Sequence, residues 1–316
     1  MRCLCCGKEL KSQTPCGWHR TCIKRFFGTK ELPEIVIDEK TFELLATEST
    51  NKGFTVPGVQ KKLSLNLFSD GKRPRLTLVN YPTGYILKPQ VKEFTALPES
   101  EHLVMTMAKA VGISTVPHAL IYNQGEYAYI TKRIDRINIG GETAKLAMED
   151  FCQLDLRLTA DKYYGSYERC AKIISKYSAR SGLDMTELFI RLVFSFMIGN
   201  SDMHLKNFSL IESEVGSNSY VLSGAYDLLP VNVIMPEDKE DIAMPINGKK
   251  NNVSKKDFLV FADNSGIARD SAEKMIKKIL SKKELLIEMV RDSLLPEDMK
   301  VTFINLINTR CEILGA

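Results

Sequence analysis

One short segment near the middle of the chain concentrates residues of the types that do chemistry. It reads G-N-S-D-M-H-L-K-N-F from Gly199 to Phe208, and apolar runs precede and follow it. Asp202 and Asn207 stand in a D-x4-N pattern, and Asp227 follows twenty residues later. Phosphoryl transfer needs such a set, because one carboxylate accepts or orients a hydroxyl proton while an amide oxygen and a second carboxylate hold Mg²⁺. The alternative is a polar loop capped by Asp202, since Asp and Asn favour turns.

Two upstream features favour the phosphoryl-transfer interpretation. Lys88 ends a predicted strand and Glu101 opens the next predicted helix, which is how protein kinases grip ATP phosphates. A surface ion pair is the plainer interpretation. The segment from Gly53 to Leu63 carries two glycines and two lysines directly before another predicted strand. Such a segment is suited to covering phosphates with backbone N–H groups and positive charge, although it matches neither a G-x-G-x-x-G nor a P-loop pattern.

Periodicity indicates the elements that must position these residues. Between residues 30 and 135 the pattern is mixed: a helix is predicted over 99–111, and strands are predicted over 63–68, 75–79, 84–88 and 127–131. Turn residues separate the first three strands, which predicts that these three form a meander. Beyond residue 136 helices dominate. The nearly all-apolar stretch 186–198 predicts a buried central helix, followed by a strand hairpin at 208–211 and 220–222. A further strand is predicted to end at Asp227, and lysine-rich amphipathic helices are predicted at 271–280 and 283–290.

The first 29 residues form a cysteine-rich head that precedes these two regions, 30–135 and 136–316. Two pairs of soft or borderline ligands predict a tetrahedral zinc site: Cys3 with Cys6, and His19 with Cys22. Cys5 and Cys16 remain as spare thiols, so the ligand set is open. The alternative is a cap whose cysteines simply pack against the next domain.

Composition and charge limit the class of protein. The 316 residues are 44% hydrophobic and 26% charged, as in an ordinary globular protein, and the net charge of +4 does not itself favour nucleic acid. No apolar run is long enough to span a membrane and no signal-peptide core is present, which predicts a cytoplasmic protein. Lysines 249, 250, 255 and 256 and the 277–283 run are interpreted as solvated helix faces rather than a nucleic-acid surface.

Taken together, these residues resemble the HipA family of serine/threonine kinases, the toxin components of bacterial toxin–antitoxin systems. The resemblance extends from about Thr55 to about Phe261, and its strongest block is the segment from Asn200 to Ser209, followed by Y-D-L-L from Tyr226. Supporting blocks stand in order along the chain: 57–62, 130–136, 148–153 and 246–252. The resemblance implies an α+β, two-lobed protein-kinase-like fold with a β-rich N-lobe at 30–135 and a mostly helical C-lobe at 136–316.

The resemblance also implies roles for single residues. Asp202 would be the catalytic aspartate, and Asn207 and Asp227 would bind Mg²⁺. The ATP-binding set would comprise the phosphate loop, a lysine, the adenine-side hinge and residues around the catalytic segment: Pro57, Gly58, Val59, Gln60, Lys61, Lys62, Lys88, Thr131, Lys132, Ile134, His204, Lys206 and Tyr226. Autophosphorylation would fall on Thr55, because Pro57 occupies the second position at which some family members carry a serine.

Substrates and partners follow from the same resemblance. Family members phosphorylate aminoacyl-tRNA synthetases and so halt translation. Only about 50 residues precede Thr55 here, which resembles the short HipT-type toxins of three-gene systems. Those toxins imply two partners, a small HipS-like protein and a HipB-like DNA-binding antitoxin, with DNA contacted through the antitoxin.

Two other functions remain open at this stage. A small-molecule phosphotransferase uses an aspartate and an asparagine in a similar arrangement, although the blocks at 57–62 and 247–249 disfavour it. A non-catalytic pseudokinase would bind antitoxin or DNA. Binding alone has no need for Asp202, Asn207, Asp227 and Lys88 together, so an active kinase is the favoured prediction.

Overall fold

A computed structural model describes residues 2–10, 17–34, 62–68, 74–77, 84–123, 125–140 and 142–316. The chain groups into two compact units. Unit 1 contains Met1–His102 and Val116–Thr143, and unit 2 contains Leu103–Thr115 and Ala144–Ala316. Among the described residues, no helix is both long and apolar enough to cross a bilayer.

A five-stranded antiparallel sheet forms the centre of unit 1. Its strands are β1 (Leu63–Phe68), β2 (Arg75–Thr77), β3 (Tyr85–Pro89), β4 (His118–Asn123) and β5 (Glu126–Lys132). The order across the sheet is β2-β1-β3-β5-β4. The predicted strands are therefore present, but the predicted meander is wrong, because β1 rather than β2 is the middle strand of the first three and pairs with both of its neighbours.

The cysteine-rich head shares a hydrophobic core with this sheet. Helix α1 (Arg20–Phe27) buries Phe26 and Phe27 in the same cluster as Leu65, Leu87 and other inward-facing strand residues. Trp18 is fully buried there, and its indole N–H donates to the carbonyl of Leu120 at 3.1 Å. The head is thus part of the core of unit 1.

Helix α2 (Leu97–Ala110) begins in unit 1 and ends in unit 2, close to its predicted bounds. The remaining helices of the described chain are α3 (Phe151–Leu154), α4 (Tyr167–Tyr177), α5 (Ser181–Met197), α6 (Val231–Ile234), α7 (Lys255–Asn264), α8 (Arg269–Leu280), α9 (Lys283–Arg291) and α10 (Glu297–Gly315). α5 is the predicted apolar helix, and eleven of its residues are buried. It packs against α4 and also contacts α7, α8 and α10.

Five short strands complete the described structure. β6 (Arg136–Ile139) pairs with β7 (Glu142–Lys145), and β8 (Met148–Asp150), β9 (Ser209–Glu212) and β10 (Tyr220–Leu222) form a three-stranded sheet with β9 in the middle. β9 and β10 are the predicted hairpin. The prediction that a strand ends at Asp227 is wrong. Of the residues 225–227, only Ala225 forms a β-bridge, an isolated one to Thr115, and no strand follows it up to Asp227.

Candidate active site

The G-N-S-D segment begins where α5 ends, and Gly199 makes that transition possible. Its φ of 69° lies in the left-handed region, which favours glycine. A Cβ at this position would also collide with Leu306 of α10 and press on Asn232. The backbone N–H of Asn200 then bonds the carbonyl of Ser195 at 2.8 Å. The end of the buried helix α5 therefore fixes the position of the residues that follow Gly199.

Asp202 presents its carboxylate partly to solvent, with 45% of the side chain exposed. The hydroxyl of Tyr163 donates to its Oδ1. The Nε2 atom of His204 lies 4.0 Å from the same oxygen, and the His204 ring meets the Tyr163 ring edge-on at 5.1 Å. Burial lowers the pKa of His204, an effect that the negative charge of Asp202 only partly offsets, so the imidazole is neutral at neutral pH.

Two hydrogen bonds hold the segment from Asp202 to Leu205 against the first residue of α4 and the chain before it. The hydroxyl of Tyr167 donates to the carbonyl of Met203 at 3.0 Å, and the N–H of Leu205 donates to the carbonyl of Lys162 at 3.2 Å. Tyr163 lies between these two anchor points in the sequence. The contact that it makes with Asp202 is therefore part of a fixed local structure.

Asn207 and Asp227 lie side by side, with 3.3 Å between Nδ2 and Oδ2. The Asn207 Oδ1 accepts the N–H of His204 at 3.0 Å and retains a second lone pair. Asp227 has a φ of 60°, a left-handed conformation that is costly for most residues but tolerated by aspartate. An amide oxygen beside a carboxylate is a hard-oxygen donor set that suits Mg²⁺.

Two residues of the predicted ATP-binding set, Lys206 and Tyr226, form a half-buried hydrogen-bond network close to Asn207. The Lys206 Nζ lies 2.6 Å from the carboxylate of Asp150, at the end of β8. The Tyr226 hydroxyl donates to the Lys206 carbonyl at 3.0 Å and shares a hydrogen bond with the hydroxyl of Ser209. Burial raises the pKa of Tyr226, so its hydroxyl stays protonated and available as a donor. The network fixes the short helical turn that carries Asn207.

Within unit 1, Lys88 and Glu101 form a buried bidentate ion pair. The Lys88 Nζ lies 2.8 and 3.0 Å from the two carboxylate oxygens of Glu101, and the residues are only 5% and 1% exposed. The ammonium group also lies 5.5 Å from the centre of the Tyr129 ring, in register opposite Lys88 on β5. The plainer interpretation of a surface ion pair is therefore wrong, because both charges are inside the protein.

The other predicted residues of unit 1 are only partly within the described chain. Thr131 and Lys132 end β5, and Ile134 lies in the turn that follows. Thr131 pairs with Ile86 on β3, the strand that carries Lys88. Lys62 is half-buried just before β1. The autophosphorylation residue Thr55 and five residues of the phosphate loop lie outside the described residues, and their roles stay predictions: Pro57, Gly58, Val59, Gln60 and Lys61.

The structure brings the four predicted zinc ligands of the head together. The ligand atoms of Cys3, Cys6, His19 and Cys22 all lie within 4.8 Å of one another. Cys5 is half-buried beside them and does not belong to this group. Cys3, Cys6 and Cys22 belong to or pack against the core of unit 1, whereas Asp202 belongs to unit 2.

Two residues of the site were missed by the sequence analysis. Tyr163 contacts Asp202 from a turn 39 positions upstream, and no pattern in that turn indicates a role. Asp150 belongs to the block 148–153 that supported the family resemblance, which was the available signal, but its pairing with Lys206 spans 56 positions.

Asp257 anchors the block 246–252, which also supported the resemblance. It accepts hydrogen bonds from Asn247 Nδ2 at 2.9 Å and from Ser254 N at 2.9 Å, and Lys249 lies 3.0 Å away. Burial would raise the pKa of Asp257, but the hydrogen bonds from Asn247, Lys249 and Ser254 hold it at about 2. The ionised carboxylate is therefore the form that stabilises this part of unit 2.

We expect the Asp257→Asn variant to lose about 2 kcal/mol of unfolding free energy at neutral pH, because the pKa of about 2 in the folded protein lies well below the ordinary value of an aspartate. Because the folded pKa lies below the unfolded one, this contribution is present above about pH 4 and is lost as the pH falls towards 2. Urea unfolding at about pH 7 and pH 3 should show the difference from wild type shrinking in acid. Asp263→Asn, at an exposed position, is the control. A difference of equal size at both pH values would contradict the assignment.

Solved structures with a similar fold place the chain in a class. A structure of HipA with HipB and operator DNA from Shewanella oneidensis aligns with a TM-score of 0.68 at 23% identity, covering 83% of this chain and 65% of that one. The Helicobacter pylori kinase CtkA aligns with a TM-score of 0.54 at 15% identity, covering 80% of this chain and 93% of that one. The fold is thus the predicted α+β, two-lobed, kinase-like fold.

Residues 54–285 match the HipA-like C-terminal domain, which is well over half of the chain. The chain therefore belongs to the HipA-like C-terminal domain family. A Haemophilus influenzae protein with a provisional kinase designation is 27% identical over 84% of this chain and 82% of its own length. The serine/threonine-protein kinase toxin HipA of Shewanella oneidensis is 28% identical to this chain, and the match covers 68% of this chain and 52% of that toxin. At this level the chain is a kinase-like phosphotransferase.

Proposed function

We propose that the chain is an ATP-dependent serine/threonine protein kinase. The observation that carries this proposal is the group of Asp202, Asn207 and Asp227, which a buried helix and a hydrogen-bonded turn hold in place in unit 2. Names of the relatives support it, because they describe kinases. Membership of the family alone would not require these three residues to be intact.

In the proposed reaction, the oxygen of a protein hydroxyl forms a bond to the γ-phosphorus of ATP. The bond from that phosphorus to the bridging oxygen breaks, and ADP leaves with the electron pair. Asp202 accepts the hydroxyl proton, which its partly exposed carboxylate is placed to do. Asn207 and Asp227 would hold Mg²⁺, which when bound neutralises charge on the phosphates. Lys88, oriented by Glu101, would contact phosphate.

Further assignments extend this proposal. The remaining ATP-binding residues are those of the predicted set, with the loop 57–62 covering the phosphates and Thr55 receiving a phosphate in cis. A phosphate on Thr55 would add about two negative charges beside that loop and oppose the binding of ATP. The protein substrate would be an aminoacyl-tRNA synthetase, and the protein would act as a toxin in the bacterial cytoplasm.

The partners we propose are a HipB-like antitoxin that contacts operator DNA and a small HipS-like protein, as in the HipT-type systems. The Shewanella HipA structure contains HipB and operator DNA, which supports the first of these. The chain spans only about half the length of the Shewanella toxin. The second partner is proposed from the resemblance to the HipT-type toxins alone.

The proposed function is tested by incubating the purified chain with labelled ATP, Mg²⁺ and a bacterial lysate. We expect label on lysate proteins, on the chain itself at Thr55, and on serine or threonine in phosphoproteomic analysis. Label appearing only on small molecules would favour the alternative small-molecule phosphotransferase. ATP binding without any transfer would indicate a pseudokinase and contradict the proposal.

Tyr163 is expected to act as a positioning residue for Asp202. In Tyr163→Phe the carboxylate loses one charge-assisted hydrogen bond, which is worth about 1.5–3 kcal/mol, and kcat should fall by roughly tenfold or more. The KM for ATP should change little, because the variant keeps the ring that packs against His204 and loses only the hydroxyl that bonds Asp202. Initial rates over a range of ATP concentrations measure both constants. Tyr164→Phe, at the more exposed neighbouring position, is the matched control. An increase in kcat, or an equal effect of the two variants, would show that Tyr163 does not position the aspartate.

A further inference from the structure

The cysteine-rich head contains a ligand cluster with the dimensions of a zinc site. The Nδ1 atom of His19 lies 3.5 Å from the sulfur of Cys6 and 3.9 Å from the sulfur of Cys22, and with Cys3 all four ligand atoms fall within 4.8 Å. Zinc bonds of about 2.3 Å to sulfur and about 2.0 Å to nitrogen, at the tetrahedral angle, separate neighbouring ligand atoms by roughly 3.5–3.8 Å. The separations of 3.5 and 3.9 Å match those of neighbouring zinc ligands, and the 4.8 Å limit of the whole cluster exceeds them by about 1 Å.

The surroundings of His19 set its tautomer for metal binding. The Nε2 atom lies 3.1 Å from the carbonyl oxygen of Glu9, which can only accept a hydrogen bond. Nε2 therefore carries the proton, and the lone pair of Nδ1 faces the sulfurs of Cys6 and Cys22. A ligating histidine in proteins usually donates its second N–H to such a carbonyl, which orients the ring.

The backbone around Cys3 is also shaped for a metal. A tight turn runs from Cys3 to Lys8, with the N–H of Cys3 bonded to the Lys8 carbonyl at 2.8 Å and the N–H of Gly7 bonded to the Cys3 carbonyl at 2.9 Å. Gly7 has a φ of 68°, which this turn requires. The N–H of His19 points at the Cys3 sulfur at 3.4 Å, and such contacts compensate thiolate charge.

The plainer alternative is that the cysteines only fill space between the head and the sheet. Packing accounts for the burial of Cys3 and Cys22, but Cys6 is only half-buried and packing does not require an imidazole lone pair aimed at two sulfurs. All three cysteines are free thiols, and one disulfide among them would leave a thiol and the imidazole unused. Three thiols and one imidazole form a complete tetrahedral shell, which is typical of structural zinc.

We propose that Cys3, Cys6, His19 and Cys22 bind one structural Zn²⁺, which fastens the head to strand β4. The ion would join the turn at 2–10 to the segment 17–27, and each of these two segments makes a hydrogen bond to the outer strand of the sheet. The N–H of Leu120 donates to the carbonyl of Leu4 at 2.8 Å, and the carbonyl of Leu120 accepts the indole N–H of Trp18. Loss of the ion would release the head, and with it the cover that Trp18, Phe26 and Phe27 provide for this core.

The metal content of the full chain, purified without chelators, tests the proposal by elemental analysis. We expect one zinc per chain in the wild type and no zinc in Cys6→Ser. Cys5→Ser is the matched control, since its thiol is adjacent in sequence and outside the cluster, and it should keep its zinc. A wild type without zinc, iron in its place, or equal loss from both variants would overturn the proposal.

A second measurement keeps the test valid even if Cys6→Ser folds poorly. Zinc is removed from the wild type with a chelator, and Co²⁺ is then titrated into the apo protein. A tetrahedral thiolate site should give intense d–d and charge-transfer absorption at one equivalent. Hydrogen exchange of the apo protein should accelerate in residues 17–27 and in β4, while α5 in unit 2 keeps its protection. Octahedral cobalt spectra, or unchanged exchange after metal removal, would contradict a structural site. Because no step uses phosphoryl transfer, the result is independent of the proposed kinase activity.

Discussion

The Asp202→Asn variant is expected to bind ATP but to lose phosphoryl transfer by about two to four orders of magnitude, the usual loss when a positioned proton acceptor is removed. Asparagine has nearly the same shape, so the change removes the negative charge and the proton-accepting oxygen while leaving the backbone of the segment intact. The side chain is 45% exposed, and the asparagine amide oxygen can still accept the hydrogen bond from the Tyr163 hydroxyl. Thermal unfolding should therefore change little.

Three measurements on the purified variant separate the contributions. Transfer of labelled phosphate to lysate proteins reports catalysis, calorimetric titration with ATP reports binding, and a thermal scan reports folding. Asp263→Asn is the control for charge, because Asp263 is an exposed carboxylate of α7 that pairs with Arg269. If Asp202→Asn transferred phosphate at the wild-type rate, the aspartate would not be the proton acceptor, and the assignment of the D-x4-N motif would be wrong.

Local patterns predicted the part of the site that is local in sequence. The apolar period of α5, the polar segment after it and the β9–β10 hairpin are all set by neighbouring residues, and the structure contains all three. Four of the five strands of the unit 1 sheet were predicted for the same reason, whereas β4 was not. The order of the strands was not, because β1 pairs with β3 across a long connection, and the hydrophobic alternation of a strand does not identify its partner.

Contacts that close over long sequence distances were beyond the sequence analysis. Tyr163 reaches Asp202, and Asp150 reaches Lys206, only after the helices and strands of unit 2 have packed. The left-handed conformation of Asp227 was also missed, since the preceding residues resemble a strand. The four ligands of the head were predicted because pairs of ligands at short spacing are a strong local signal, and packing of the head then brings the pairs together.

A set of three variants separates the structural role of the Lys88–Glu101 ion pair from its catalytic role. In Lys88→Met the ammonium group is lost, and the Glu101 carboxylate stays in a site where only 1% of the residue is exposed. Removing one partner of a buried ion pair costs about 3–5 kcal/mol. We expect this variant to unfold at a clearly lower urea concentration and to show no transfer. Arg269→Met breaks an exposed pair and should cost little.

The double variant Lys88→Met with Glu101→Leu shows whether the ion pair stabilises the fold or contacts the phosphates of ATP. Replacing both charges by apolar groups of similar volume removes the buried carboxylate together with the ammonium group, so most of the lost stability should return. Phosphoryl transfer should not return, because no ammonium group is left to contact the phosphates of ATP. Recovery of both stability and phosphoryl transfer would show that the pair only stabilises the core of unit 1. The assignment of Lys88 as a phosphate contact would then be wrong, and the assignment of Asp202 as the proton acceptor would be unaffected. The outcome we expect is a stable protein that binds ATP weakly and transfers nothing, since the desolvated charge is retained for the nucleotide and not for the fold.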